Sequence, residues 1–487
     1  MKKPNILWIC TDQQRWDTLS CLGYPGAQTP HIDALAESGI LFERAYAQSP
    51  ICTPSRASFL TGMYPIAHQV QRNGNAQFPT HLDLLPHSFQ QAGYRTGLIG
   101  KLHLSASQHG VEKRPNDGYD EFYWSQHPHP DWPEGHDYQN WLTEQGVDPQ
   151  KLYAHAQGAI YPGVDPAYHQ TTWATQRAEQ FISRHQNMPW FLSINLFDPH
   201  PPFDPPAHYL ERIDADAISP PLFAKSDIAH QARFHGVDQQ AKKAVDPTLT
   251  PRNEPGEVLH GSHDTPPDSY DIKAIRAAYF AMITQIDDFV GNLLSRLDET
   301  GQREDTLILF MSDHGEMLGD HGLLYKGCRF YEGLVHVPLI ISWPQQFAPA
   351  RRSTALVELV DLPATLLESA ELKIPSQNQG KSLYPLLSGK SDLHQHKPYI
   401  LSEYFDALSF SNSVGSRGSM YYDGRFKLNV YHDAEEGELF DLATDPGEFH
   451  DRWHDPQFTQ QKAELIHQHF AAMMKISGTG SERISDF

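Results

Sequence analysis

Short apolar runs that each stop at a polar residue limit this chain more than any other feature. Ile6–Cys10, Thr96–Ile99, Phe191–Leu196, Leu307–Met311 and Leu339–Ile341 read as parallel strands buried on both faces. Helical periodicity separates them. From Asp271 to Leu297, apolar residues recur in steps of three and four at Ile275, Tyr279, Met282, Ile286, Val290, Leu293 and Leu297, and Thr300-Gly301 ends the pattern. Strands alternating with helices predict an α/β layered domain. Ligands of such sheets sit beyond the carboxyl ends of the strands. Asp12, Lys101, His200 and Asp313 each fall just past a predicted strand end, so the topology gathers them on one side.

After about Gly380 the pattern changes. Tyr399–Glu403, Ser419–Tyr422 and Phe426–Tyr431 read as antiparallel strands, with Asp423-Gly424 as a turn, and a helix is expected from about Thr459 to Lys475. The expectation is a domain over 1–380 and a C-terminal antiparallel-sheet subdomain over 381–487. Two long irregular stretches, 124–163 and 201–269, interrupt the first domain. The former is dense in His, Pro, Trp and Tyr, including Trp124 and Trp132, and can wall a pocket by aromatic stacking or form a proline-stiffened surface loop.

The formal charge of −22 argues against nucleic acid and against a polybasic membrane contact. An acidic chain that takes an anionic substrate must concentrate its few cations at the site. Four cysteines in 487 residues make no disulfide framework. No run reaches a transmembrane length, and the apolar segment Ile6–Ile9 is too short for a signal-peptide core and is followed by no small-residue cleavage site. The expected compartment is the cytoplasm, or the periplasm if a leader has been removed.

Cys52 opens the run Cys52-Thr53-Pro54-Ser55-Arg56, followed by Ala57-Ser58-Phe59-Leu60-Thr61-Gly62. Pro and Ser here suit a helix start, with Ser55 as the expected cap, which would set Cys52 where backbone N–H groups favour negative charge. The run resembles the maturation signature of the type I, formylglycine-dependent sulfatases of the alkaline phosphatase superfamily. That resemblance spans nearly the whole chain, including Glu438–Leu442 and Asp445-Pro446-Gly447-Glu448. It implies an alkaline-phosphatase-like α/β sandwich, with a large, mostly parallel mixed sheet between helices and a smaller α+β subdomain. It also implies that a separate formylglycine-generating enzyme oxidises Cys52 to an aldehyde whose hydrate is the nucleophile.

The resemblance further implies a metal held by Asp12, Gln13, Asp313, His314 and the oxidised Cys52. Hard cations take oxygen ligands, so calcium comes first; the His314 nitrogen leaves room for Mg²⁺, Mn²⁺ or Zn²⁺. Position 13 is more often Asp in sulfatases, and the neutral Gln13 resembles the phosphonate monoester hydrolase and choline sulfatase branches. Lys101 and His103 in Gly-Lys-Leu-His, His200 in Asp-Pro-His-Pro-Pro, Lys326 and Arg56 match the family's sulfate-binding and proton-transfer groups. The expected substrate is a sulfated saccharide or small molecule, held by Lys101, His200 and Lys326 and walled by Trp124 and Trp132. The alternatives are a phosphonate monoester or phosphodiester hydrolase on the same fold, and a non-catalytic anion-binding protein with unconverted Cys52.

Overall fold

The computed structural model describes residues 3–107, 110–128, 135–154, 160–161, 163–234, 237, 244–249, 270–405, 416–432, 434 and 436–477. The strands, in chain order, are β1 (Asn5–Thr11), β2 (Ile40–Phe42), β3 (Ala45–Tyr46), β4 (Arg95–Gly100), β5 (Glu121–Trp124), β6 (Trp190–Asn195), β7 (Thr306–Ser312), β8 (His336–Val337), β9 (Leu339–Ser342), β10 (Arg351–Ser353), β11 (Val357–Glu358), β12 (Ile400–Phe405), β13 (Arg417–Tyr422), β14 (Phe426–Tyr431) and β15 (Glu436–Asp441). Eight of them form one mixed sheet in the order β10-β2-β9-β7-β1-β6-β4-β5.

Each expected apolar run is a strand buried in the core, and β7, β1, β6, β4 and β5 pair in parallel. Alternation sends Ile6, Trp8 and Cys10 of β1 to one core layer and Leu7 and Ile9 to the other. The first layer packs on the helix Cys52–Thr61 through Ala57, Phe59 and Leu60. The second packs on the helices Gln170–Arg184 and Ile272–Glu299. Asp271 caps the long helix by accepting the Ala274 N–H at 3.0 Å. Leu339–Ile341 departs from expectation: β9 runs antiparallel to both β7 and β2. A fully buried apolar run carries no sign of strand direction.

The C-terminal strands form a separate antiparallel sheet, β12-β13-β14-β15. Asp423 makes the expected turn by accepting the N–H groups of Arg425 and Phe426. The helix Thr459–Ile476 covers this sheet, burying Leu465, Ala472 and Ile476 against Leu401, Leu428 and Leu439. Among the described residues no helix is long and apolar enough to cross a membrane.

Candidate active site

Two neighbouring strands set the first pair of functional groups. β1 and β7 pair in parallel with Thr11 opposite Ser312, so Asp12 and Asp313 leave the sheet side by side. Both are fully buried. Asp12 Oδ2 accepts from Lys101 Nζ at 2.5 Å and from Arg56 Nη2 at 3.2 Å. Asp313 Oδ2 accepts from Arg56 Nε at 2.9 Å, while its Oδ1 accepts the N–H groups of Gln13 and His314. Burial alone would raise the pKa of Asp12. Lys101, His200, Arg56 and Lys326 outweigh it and hold the carboxyl well below its usual range.

Cys52 is the first residue of the helix Cys52–Thr61, and its Sγ lies 3.1 Å from His314 Nε2 and 3.9 Å from Asp12 Oδ1. Ser55 does not cap this helix. Ile51 occupies the cap position, and the Ser55 hydroxyl donates to the Asp313 carbonyl at 2.5 Å, tying the helix to the end of β7. Burial raises the Cys52 thiol pKa, but Lys101 and Lys326 overcome burial and bring it below the ordinary thiol value.

Asp12, Cys52, Asp313 and His314 place one ligating atom each within 4.8 Å of one another. The donor set suits a cation. His314 Nδ1 donates to the Gly315 carbonyl at 2.9 Å, which leaves Nε2 as a lone pair facing the two carboxylates. Burial opposes a charge on this imidazole, yet Asp313 and Cys52 raise its pKa, so the cluster calls for positive charge at that nitrogen. Gln13 lies beside the cluster. Its Nε2 donates to Glu316 and its Oε1 accepts from Lys326 Nζ at 3.1 Å.

The remaining cations and histidines come from β4, β6 and the loop after β7. Gly100 ends β4 with φ +103°, and a β-carbon there would lie 2.0 Å from the Asn195 carbonyl oxygen. Only glycine allows the approach that lets Lys101 N–H reach that oxygen at 3.0 Å. Asn195 Nδ2 in turn donates to the Lys101 carbonyl at 2.8 Å. His200 donates from Nδ1 to the Pro201 carbonyl at 2.6 Å and accepts at Nε2 from Lys326 Nζ at 2.7 Å. Burial and Lys326 push the His200 pKa well below the ordinary histidine value, so the imidazole is neutral and the lysine carries the charge.

A family model described as sulfatase matches residues 4–372. The chain belongs to the sulfatase family. A second model, for the C-terminal part of N-sulphoglucosamine sulphohydrolase, matches residues 319–475. Curated relatives include an arylsulfatase of Clostridium perfringens, 28% identical over 92% of this chain and 89% of the relative. An N-acetylglucosamine-6-O-sulfatase of Bacteroides thetaiotaomicron is 26% identical over 96% and 85%. Among solved structures, a phosphonate monoester hydrolase of Agrobacterium radiobacter superposes with a TM-score of 0.80 at 25% identity, covering 97% of this chain and 96% of that one. The alkaline-phosphatase-like architecture and the sulfuric ester hydrolase class expected from the sequence therefore hold.

Several expected roles look different in this sulfatase once the side chains are placed. Arg56 is fully buried and bonded to Asp12, Asp313 and, from Nη1 at 3.0 Å, to the Lys101 carbonyl. It ties the two carboxylates to the Lys101 turn instead of standing free to clamp an anion. Trp124 was expected to wall the substrate, but it closes β5, is 1% exposed, and donates Nε1–H to Glu112 at 3.0 Å. Its ring offers no open face, because a strand end of an α/β sheet is buried from both sides. Trp132 lies outside the described residues. Asn195 and Glu316 escaped sequence reading. Glu316 stands in the Asp313–Glu316 run, whose spacing was the available signal; Asn195 had none beyond its place at the end of an apolar run.

Proposed function

We propose that this sulfatase removes sulfate from a sulfated carbohydrate, using a formylglycine made from Cys52 by a maturation enzyme. The supporting observation is the position of Cys52: it starts a helix inside a buried donor cluster, within reach of His314 and Asp12 and under the field of Lys101 and Lys326. The N-acetylglucosamine-6-O-sulfatase relative supports the carbohydrate class. Hydrated, the aldehyde supplies an oxygen nucleophile and a second hydroxyl through which sulfate is expelled. A metal held by Asp12, Gln13, Asp313 and His314 would polarise sulfate oxygens and favour ionisation of that hydrate. Calcium suits the oxygen donors; the imidazole makes Mg²⁺, Mn²⁺ and Zn²⁺ the other ions to test.

The chain's own groups do the rest. Lys101 neutralises charge on the sulfuryl oxygens. Lys326, steered by neutral His200, delivers a proton to the departing alcohol. His103, which burial, Lys101 and Arg56 keep neutral, takes the proton of the remaining hydroxyl as sulfate leaves. Mass analysis of the Cys52 peptide, with a desulfation screen over defined sulfated saccharides, tests this reading. An unconverted thiol in fully expressed protein, with no desulfation, would sink it in favour of a non-catalytic anion binder.

One observation favours a second reading, phosphonate monoester hydrolysis: Gln13 in place of an acid, in a chain that superposes well on such an enzyme. Comparing kcat/KM for matched aryl sulfate and aryl phosphonate esters separates the two.

A further inference from the structure

His103 stands three residues past β4 with φ +56°, a left-handed backbone conformation that residues bearing a β-carbon seldom adopt. Its ring nitrogen Nδ1 is buried with no protein hydrogen-bond partner among the described residues. With no protein hydrogen bond at Nδ1, the direction of the imidazole depends on the backbone turn that carries it.

That backbone is held by one carboxylate. Glu112, in the loop between β4 and β5, is 2% exposed. Its Oε1 accepts His103 N–H at 2.5 Å and Trp124 Nε1–H at 3.0 Å. Its Oε2 accepts Leu104 N–H at 2.7 Å and Ser105 N–H at 3.2 Å. Three consecutive amides converge on one anion only where the chain curls, and the curl is the left-handed turn at His103. Trp124 lies opposite Gly100 in the parallel β4–β5 register, so its indole fastens the carboxylate to the sheet beside the Lys101 turn.

We propose that Glu112 is a positioning residue of the active site: its carboxylate fixes the turn at His103 and so holds the imidazole in place to take a proton during sulfate release. This rests on the sulfatase reading above. The geometry requires acceptors on both oxygens. Glutamine would turn an NH₂ group toward two N–H donors, and aspartate is one methylene too short to meet both sets.

A double-mutant cycle in aryl sulfate turnover tests the proposal. Glu112→Gln should lower kcat by about tenfold to a hundredfold, the scale of a catalytic group misplaced by about 1 Å, with little change in KM. In a His103→Ala background the same substitution should have no further effect. Metal content and aldehyde occupancy at Cys52 should match the wild type throughout. Should Glu112→Gln fail to fold, Trp124→Phe, which removes one of the four donors, replaces it in the same cycle with a smaller expected loss. Wild-type kcat in the single variant, or an equal loss in both backgrounds, overturns the assignment. Absence of sulfate turnover by the wild type would instead overturn the sulfatase reading.

Discussion

Lys326 donates to His200 across 2.7 Å, and His200 donates its own Nδ1–H to the Pro201 carbonyl. This pairing makes the lysine the proton source and the imidazole its guide. Lys326→Ala should reduce kcat on the order of 10²–10⁴-fold, the range of a lost general acid. The loss should be larger for a sugar sulfate than for nitrophenyl sulfate, whose leaving group needs little protonation. Because burial and Lys326 hold the His200 pKa well below 6.5, no kinetic limb near that pH belongs to it. A limb there that vanishes in His200→Ala would contradict the assignment.

Asp313 couples the proposed metal-ligand set to Arg56, so its removal should be felt twice. Asp313→Ala deletes a carboxylate of the donor set and strips the guanidinium of its Nε partner at full burial. Metal affinity should fall at least about tenfold. Stability should fall by about 1–3 kcal/mol, the scale of one buried donor left unsatisfied. Metal analysis and thermal melting of the purified variant check both. Stoichiometric metal with an unchanged melting point would mean the cluster is misassigned.

Lys101 should discriminate between the two ester chemistries. Its ammonium group lies 2.5 Å from Asp12 Oδ2, and its charge is the first of those that lower the pKa of the Cys52 thiol. Lys101→Ala should raise the barrier for aryl sulfate hydrolysis by at most about 3–4 kcal/mol, the scale of one lost charge-stabilising donor. The wild type should prefer aryl sulfate to the matched phosphonate. The opposite preference, with sulfate turnover indifferent to Lys101, would replace the sulfatase reading by the phosphonate one.

Glu403 predicts a stability effect far from the chemistry. On β12, its Oε1 accepts the Ile66 N–H at 2.7 Å, its Oε2 has no protein partner among the described residues, and burial pushes its pKa up to about 8. A raised carboxyl pKa means the folded state holds a proton that the unfolded chain has already released. The contribution is therefore full below about 4.5 and is lost as pH rises toward 8. Glu403→Gln should gain stability relative to the wild type across that window, and the two melting curves should converge near pH 4.5. A difference that does not vary with pH would show that Glu403 is solvated.

The parts of the site that were legible in the sequence share one property. Asp12, Lys101, His200 and Asp313 each follow an apolar run closely, so strand topology alone brought them together. Cys52 was legible through its neighbours. Glu112 was not, because a carboxylate that works by accepting backbone N–H groups has no periodicity or partner spacing to betray it, and Glu316 had only its place in the Asp313–Glu316 run. Trp124 was misread because β5 is four residues long, too brief to show alternation, and a lone tryptophan beside histidines reads as a platform. Strand direction at β9 was hidden for a different reason: burial on both faces erases the pattern that distinguishes one face from the other.

The register between β1 and β7 has a consequence for how this chain finds its fold. The two carboxylates meet Arg56 only because Thr11 stands opposite Ser312. A slip of one residue would carry Asp313 about 3.3 Å along the strand and turn its side chain to the opposite face. Arg56 would then be sealed in the interior beside a single acid. Hydrophobic burial alone tolerates such a slip, since both faces of these strands are buried. The charged cluster does not, and so it acts as a proofreader of strand alignment, rejecting arrangements that the greasy core would accept.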